Sequence, residues 1–173
     1  RALRSLKADS GTGPDGIATI ALQQCAPALA RPLALVICGA QPSAAVKALS
    51  SDHVDVIGDV ADIRSAYLAA PIFVAPMLVN TGLQNKLLEA MALERACLTT
   101  TRALAALGKE AGDAVATAND AATFAAQIAD LTLDPGRRQR MGSEAHQLVQ
   151  EAFTWSAASA PLVGLLQNQA LRL

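Results

Sequence analysis

A chain of 173 residues, 52% of them hydrophobic and 17% charged, with a formal net charge of −1, can bury one sizeable core and is not a disordered polypeptide. The near balance of charge and an aromatic content of only 3% exclude an electrostatic or base-stacking nucleic-acid surface. No run approaches the ~18 apolar residues of a membrane span, and the first residues lack a charged-then-apolar targeting pattern.

In chain order, the first thirty residues are the least regular. Arg1 to Lys7 reads as a short helix, Ser10 to Gly16 as a turn by its glycines and Pro14, and Ile17 to Ala30 as helical in pattern. From Leu33 the order becomes regular. Leu33–Cys38 is a buried strand, Gly39 a turn, and Pro42 and Ser43 open a helix through Leu49. Val54–Ile57 is a strand, Gly58 a turn, and Val60–Leu68 a helix beginning near Asp62. Pro71–Ala75 is the next strand. After a loop containing Asn80, Thr81 and Gly82, an amphipathic helix runs from about Leu83 to Leu93 and leads into a strand at Ala96–Thr99.

Thr101–Leu107 reads as a short helix and Asp113–Thr117 as the last strand. Asn119 then caps a helix over Ala121–Leu131, Pro135 opens another through Ala152, and Ser156–Leu171 forms the final one. Short apolar strands alternating with helices mean an α/β domain: a Rossmann-like parallel sheet with helices on both faces. Cys25, Cys38 and Cys97 are odd in number and widely spaced, with no CxxC, which points to reduced thiols rather than a disulfide or zinc site. With no membrane span, a cytoplasmic protein is the expectation.

The stretch from Val74 to Thr100 is the one that could carry chemistry. A strand–loop–helix–strand unit sets the helix's first turn beside the carboxyl end of a parallel strand, where backbone N–H groups and the helix dipole favour an anion. Thr81, Asn85 and Glu89 share one helical stripe with Lys86 beside it; Leu83, Leu87 and Met91 share another. From helix composition alone, Lys86 and Glu89 also read as a solvated ion pair. Gly39 and Gly58 each read as a turn as readily as a close approach to a ligand. Asp62 reads as a helix N-terminal acid, His53 and His146 as surface or satisfied core residues, and Trp155 with Phe153 as a hydrophobic plug at a helix end. Arg137, Arg138 and Arg140, with Lys109, form a solvated face rather than a nucleic-acid patch.

The segment TGLQNKLLEAMAL resembles the GxQNKxLEAMA segment of a subgroup of family 4 glycosyltransferases of the GT-B fold, in their C-terminal, nucleotide-sugar-binding domain. LALVICGAQPSAAVKAL resembles the strand, glycine turn and helix in that domain, HVDVIGDVADIRSAYLAAPIFVAPM the following strand, helix and strand, and RQRMGSEAHQLVQEAFTW the closing helix with its aromatic end. The pieces occur in the family's order from about Leu33 to Trp155. The resemblance implies one half of a GT-B fold over residues 33–173, with residues 1–32 a separate helical segment whose last helix would follow the domain's first strand.

It also implies a nucleotide-diphosphate sugar as ligand, with Gly39, Thr81, Gly82, Gln84, Asn85, Lys86 and Glu89 as donor-site residues. Amides around Gly82–Gln84 would face phosphates, Lys86 would add charge, and Glu89 would take the ribose hydroxyls. Neither cofactor nor metal is expected, because a phosphate leaving group can be stabilised by electrostatics alone. Family 4 implies transfer with retention.

The departures are specific. Thr81 stands where the family often has a first glutamate, and Glu94, Arg95, Ala96 and Cys97 replace a glycine followed by proline and valine. The basic residues that grip the diphosphate from the domain's first loop have no clear counterpart. A GT-B enzyme closes a second domain of ~150–200 residues over the donor, so the expected partner is an N-terminal acceptor domain or separate chain, and the chain alone is expected to bind rather than turn over. A peripheral position at the inner membrane face and a homo-oligomer fit the same reading. The alternative is a degenerate Rossmann-like module acting as a non-catalytic interaction domain.

Residues 3–33, LRSLKADSGTGPDGIATIALQQCAPALARPL, also resemble the opening of non-retroviral reverse transcriptases. That activity is excluded, since the paired aspartates needed for two metal ions are missing.

Overall fold

The computed structural model describes residues 35–58, 60–77, 82–108 and 111–170. The expectations for residues 1–32, Thr81 and Lys109 lie outside them. The elements are β1 (Leu35–Gly39), α1 (Ala44–Lys47), β2 (Val54–Gly58), α2 (Ile63–Ala69), β3 (Ile72–Ala75), α3 (Asn85–Ala92), β4 (Ala96–Thr99), α4 (Thr101–Leu104) with a 3₁₀ turn at Ala105–Leu107, β5 (Val115–Thr117), α5 (Ala121–Leu133), α6 (Pro135–Ala152) and α7 (Trp155–Ala170).

All strand pairing within these elements is parallel. β1 pairs with β2, Leu35 opposite Val54 and Gly39 opposite Gly58. β4 lies between β3 and β5, with Val74 opposite Leu98 and Leu98 opposite Ala116. The expected Rossmann-like parallel arrangement is present; among the described residues its strands pair in groups of two and three.

β4 is buried along its whole length and organises the core. Cys97 faces a cluster with Leu87, Ala90 and Met91 of α3, Val115, and Ala145 of α6, against which Tyr67, Phe73, Leu148 and Phe153 pack. Leu98, one residue on, faces the other side, toward Phe124, Ala125 and Ile128 of α5. This alternation is what a strand covered by helices on both faces requires. Leu87 and Phe124, almost fully buried, contribute about 1.5–3 kcal/mol each.

Side-chain caps decide where several helices begin. Ser43, Asp62, Thr100, Asp120 and Asp134 each accept a hydrogen bond from a first-turn amide. Asp62 caps α2 as expected, accepting from the Arg64 amide at 3.0 Å, so that the helix begins at Ile63. Asn119 was expected to cap α5, but its Oδ1 accepts from the amide and hydroxyl of Thr101, at 3.1 and 2.9 Å. Asp120 makes the capping box with Thr123 instead. The long-range bond claimed the first residue, and the next took over the local one.

Trp155 is not a plug. It is 92% exposed at the start of α7, while Phe153 two residues earlier packs on the core. Leu162, Val163, Leu165 and Leu166 of α7 are exposed as well.

Candidate functional site

β3 ends at Ala75, and its exit is held by two buried hydroxyls. Thr99 Oγ1 donates to the Ala75 carbonyl at 2.7 Å and Thr100 Oγ1 to the Met77 carbonyl at 2.8 Å. The chain then re-enters at Gly82, whose φ of 120° is a left-handed conformation that a side chain would strain. A Cβ there would meet nothing within 4 Å, so the glycine serves the backbone path and not space.

That path explains why α3 begins two residues later than expected. Gln84 has extended backbone as the N-cap, and its Nε2 donates to the Gly82 carbonyl at 3.3 Å. Leu83, placed in the apolar stripe by periodicity, is therefore exposed, whereas Leu87 and Met91 are buried as expected. Unlike the five capped starts above, α3 has no side-chain cap hydrogen bond. Its dipole and first-turn amides stand at the carboxyl edge of β3, next to β4, the arrangement that favours an anionic group.

Gly82, Gln84, Asn85, Lys86 and Glu89 are thus gathered on one loop and the first two turns of α3, with Asn85 and Glu89 exposed and Lys86 half-buried. Gly39 ends β1, in the other sheet, opposite Gly58. It shares the carboxyl-edge position but lies on a different strand pair. Gly58 makes a packing turn: a Cβ would come within 3.1 Å of Pro42 Cδ.

Glu89 is met from a second helix. Its Oε2 accepts a hydrogen bond of 2.8 Å from the Tyr67 hydroxyl of α2. Burial, and then the bond to the Glu89 carboxylate, push the Tyr67 phenol far above its ordinary value, so it remains a donor. Tyr67 is a functional candidate that sequence reasoning missed. No local pattern joins residues 22 positions apart; the tertiary fold does.

Other titratable groups have structural explanations. Asp62 binds Arg64, whose guanidinium lies 2.9 Å away and holds the carboxyl below the usual range. His146 Nδ1 lies 2.8 Å from the Ala92 carbonyl at the end of α3. Cys38 and Cys97 are both free thiols, and burial pushes Cys97 up to about 12. Such a thiol is not a nucleophile near neutral pH.

A cavity of about 410 Å³ runs along β5 where α5 and α6 meet, lined by Asp113, Gln127, Arg137, Arg140 and Glu144 among others. Arg137 Nη2 donates to Gln127 Oε1 at 3.2 Å. Its charges are mixed in sign, and of its lining only Thr117 lies at the carboxyl end of a strand, where ligands of this fold class bind.

The family profile described as glycosyl transferases group 1 matches residues 15–134, well over half of the chain. The chain belongs to the group 1 glycosyl transferases. Among solved structures, this group 1 glycosyl transferase is similar to the C-terminal domain of a glycosyl transferase group 1 family protein, LpcC, from Francisella tularensis. That match has a TM-score of 0.54 and 23% identity over 63% of this chain and 58% of the other. It is also similar to sucrose-phosphate synthase from Thermosynechococcus elongatus, with a TM-score of 0.69 and 22% identity over 99% of this chain and 48% of that one. At these identities the two structures speak for the fold. The transferase chain spans 58% and 48% of their lengths. No curated protein matches it in sequence. The likeness of residues 3–33 to reverse transcriptases finds no support in these comparisons.

Among the described residues, no helix is long and apolar enough to cross a membrane.

Proposed function

We propose that this chain is the donor-binding domain of a glycosyltransferase, taking a nucleotide-diphosphate sugar at the carboxyl edge of β3. The observation that carries the reading is the start of α3: a helix N-terminus with no side-chain cap, entered through Gly82, with the Glu89 carboxylate one turn further in. Membership of the group 1 family supports a sugar donor as ligand.

In this reading the amides around Gly82–Gln84 and the dipole of α3 meet the diphosphate, Lys86 adds positive charge, Asn85 offers a side-chain amide, and Glu89 accepts from the ribose hydroxyls. Gly39 lets the donor approach β1, and Thr81, outside the described residues, is counted as a donor-site residue on the sequence resemblance alone. As diphosphate leaves, its growing charge is met by donors already in place, which lowers the barrier without reorganisation. Turnover needs an acceptor surface from a second domain or partner chain, in keeping with the half-length span on sucrose-phosphate synthase. Alone, the domain binds and does not transfer.

The test is calorimetric titration with uridine, guanosine and adenosine diphosphates and their sugar conjugates, on the parent chain and Glu89→Ala. Binding between micromolar and low millimolar, ~−8 to −4 kcal/mol, that the variant weakens supports the reading and names the base. A folded chain that binds none of them sinks it.

A second reading has its own observation. The exposed apolar residues of α7, Trp155 and Leu162 to Leu166, favour contact with another polypeptide, as a non-catalytic interaction module or homo-oligomer would use. Sedimentation of the chain across a concentration series separates the two: association without nucleotide binding favours the module.

A further inference from the structure

A carboxylate that reads a ribose diol must face it, yet a glutamate on an exposed helix face has three side-chain torsions to fix. Glu89 is held from one side. The Tyr67 hydroxyl donates to its Oε2 at 2.8 Å, while Oε1 accepts no hydrogen bond within the described residues. Tyr67 is itself anchored: its ring meets Phe73 edge-on, centroids 5.4 Å apart at 66°, and packs on the cluster of Leu87, Met91 and Cys97. A rigid phenol from α2 therefore grips one oxygen of a mobile side chain on α3.

We infer that Tyr67 is a positioning residue for the donor site, fixing the Glu89 carboxylate so that its free oxygen and remaining lone pairs meet the vicinal hydroxyls of the donor's ribose. The inference rests on the reading of Glu89 as a ribose-binding residue. Restraining the acceptor before the ligand arrives removes part of the ordering cost of binding. The phenol keeps its proton to high pH, so the contact stays a hydrogen bond and does not become a repulsion between two anions.

The experiment compares uridine, guanosine and adenosine diphosphates with their 2′,3′-dideoxy counterparts, by calorimetry, on the parent chain, Glu89→Ala, Tyr67→Phe and the double variant. The quantity read is the ratio of ribo to dideoxy affinity for the base that binds. Phenylalanine keeps the ring and its contact with Phe73, so the melting temperature should move by only a few degrees. Tyr67→Phe should cut the ratio about fivefold, the net size of one ordinary hydrogen bond, with the dideoxy affinity unchanged. Glu89→Ala should abolish the ratio, and the double variant should match it. Outcomes that overturn the inference are distinct. If Tyr67→Phe keeps the full ratio while Glu89→Ala loses it, or lowers both affinities alike, Tyr67 only packs the helices. If Glu89→Ala keeps the ratio, the ribose role of Glu89 has failed and the positioning role with it. If the parent chain binds no nucleotide, the donor-site reading itself has failed.

Discussion

Gly142 of α6 lies directly against the backbone of Glu94, just past the end of α3. A Cβ at Gly142 would overlap the Glu94 carbonyl oxygen and come within 2.9 Å of its carbonyl carbon. Because backbone and not a flexible side chain stands in the way, Gly142→Ala must push α6 away from the helix that carries the candidate site. Overpacking of this kind costs about 1–3 kcal/mol, a fall of roughly 2–12 °C for a domain of this size. Thermal unfolding followed by circular dichroism checks it; an unchanged midpoint would show that α6 does not seat there.

Glu94 has φ of 57°, a left-handed conformation at a residue with a side chain. The end of α3 is nonetheless a complete Schellman motif: the Glu94 amide donates to the Met91 carbonyl and the Arg95 amide to the Ala90 carbonyl, each at 3.0 Å. The position asks for glycine. Glu94→Gly should therefore stabilise the domain by about 0.5–1 kcal/mol, the relief of left-handed strain less the added chain entropy of glycine. Glu94→Val should do the reverse. Chemical denaturation of the three proteins gives the order.

Thr100 works in two places. Its hydroxyl donates to the Met77 carbonyl and accepts from the Ala103 amide at 3.2 Å as the cap of α4. Thr100→Val keeps shape and loses both bonds, at a cost of about 1–3 kcal/mol. Because the Met77 bond anchors the chain as it leaves β3, nucleotide affinity should fall as well. A calorimetric titration reads this directly, and loss of stability with undiminished affinity would separate the anchor from the site.

The Cys97 thiol supplies a pH signature. Burial raises it from its ordinary value of 9.0 to about 12 in the folded chain. The unfolded chain thus releases its proton first, and this group's contribution is complete below pH 9 and is lost as pH rises toward 12. Tyr67, also raised, acts in the same direction above its ordinary value of 10.0. Stability should fall above pH 9 with a slope of up to about 1.4 kcal/mol per pH unit from Cys97 alone. Cys97→Ala should be less stable at neutral pH, through its cavity, yet show a shallower alkaline slope. Urea titrations between pH 7 and 11 measure both.

The α/β alternation, the buried strand at Ala96–Thr99 and the cap at Asp62 were legible in the sequence because each is a local pattern: an apolar run, or an acid one turn before a periodic stretch. The residues from Gly82 to Glu89 are proposed for the site from their spacing and their resemblance to a family segment. What was not legible involved two distant stretches at once. Asn119 lost its capping role to a bond with Thr101, and Trp155 was left in solvent while Phe153 took the core.

By itself, the sequence determined the order of elements and which stretch follows β3 at its carboxyl edge, since hydrophobic periodicity and turn residues act over a few positions. Only the tertiary structure decided that Glu89 is met by Tyr67. Side chains that far apart in sequence are brought together by the fold, and no spacing within one helix encodes it.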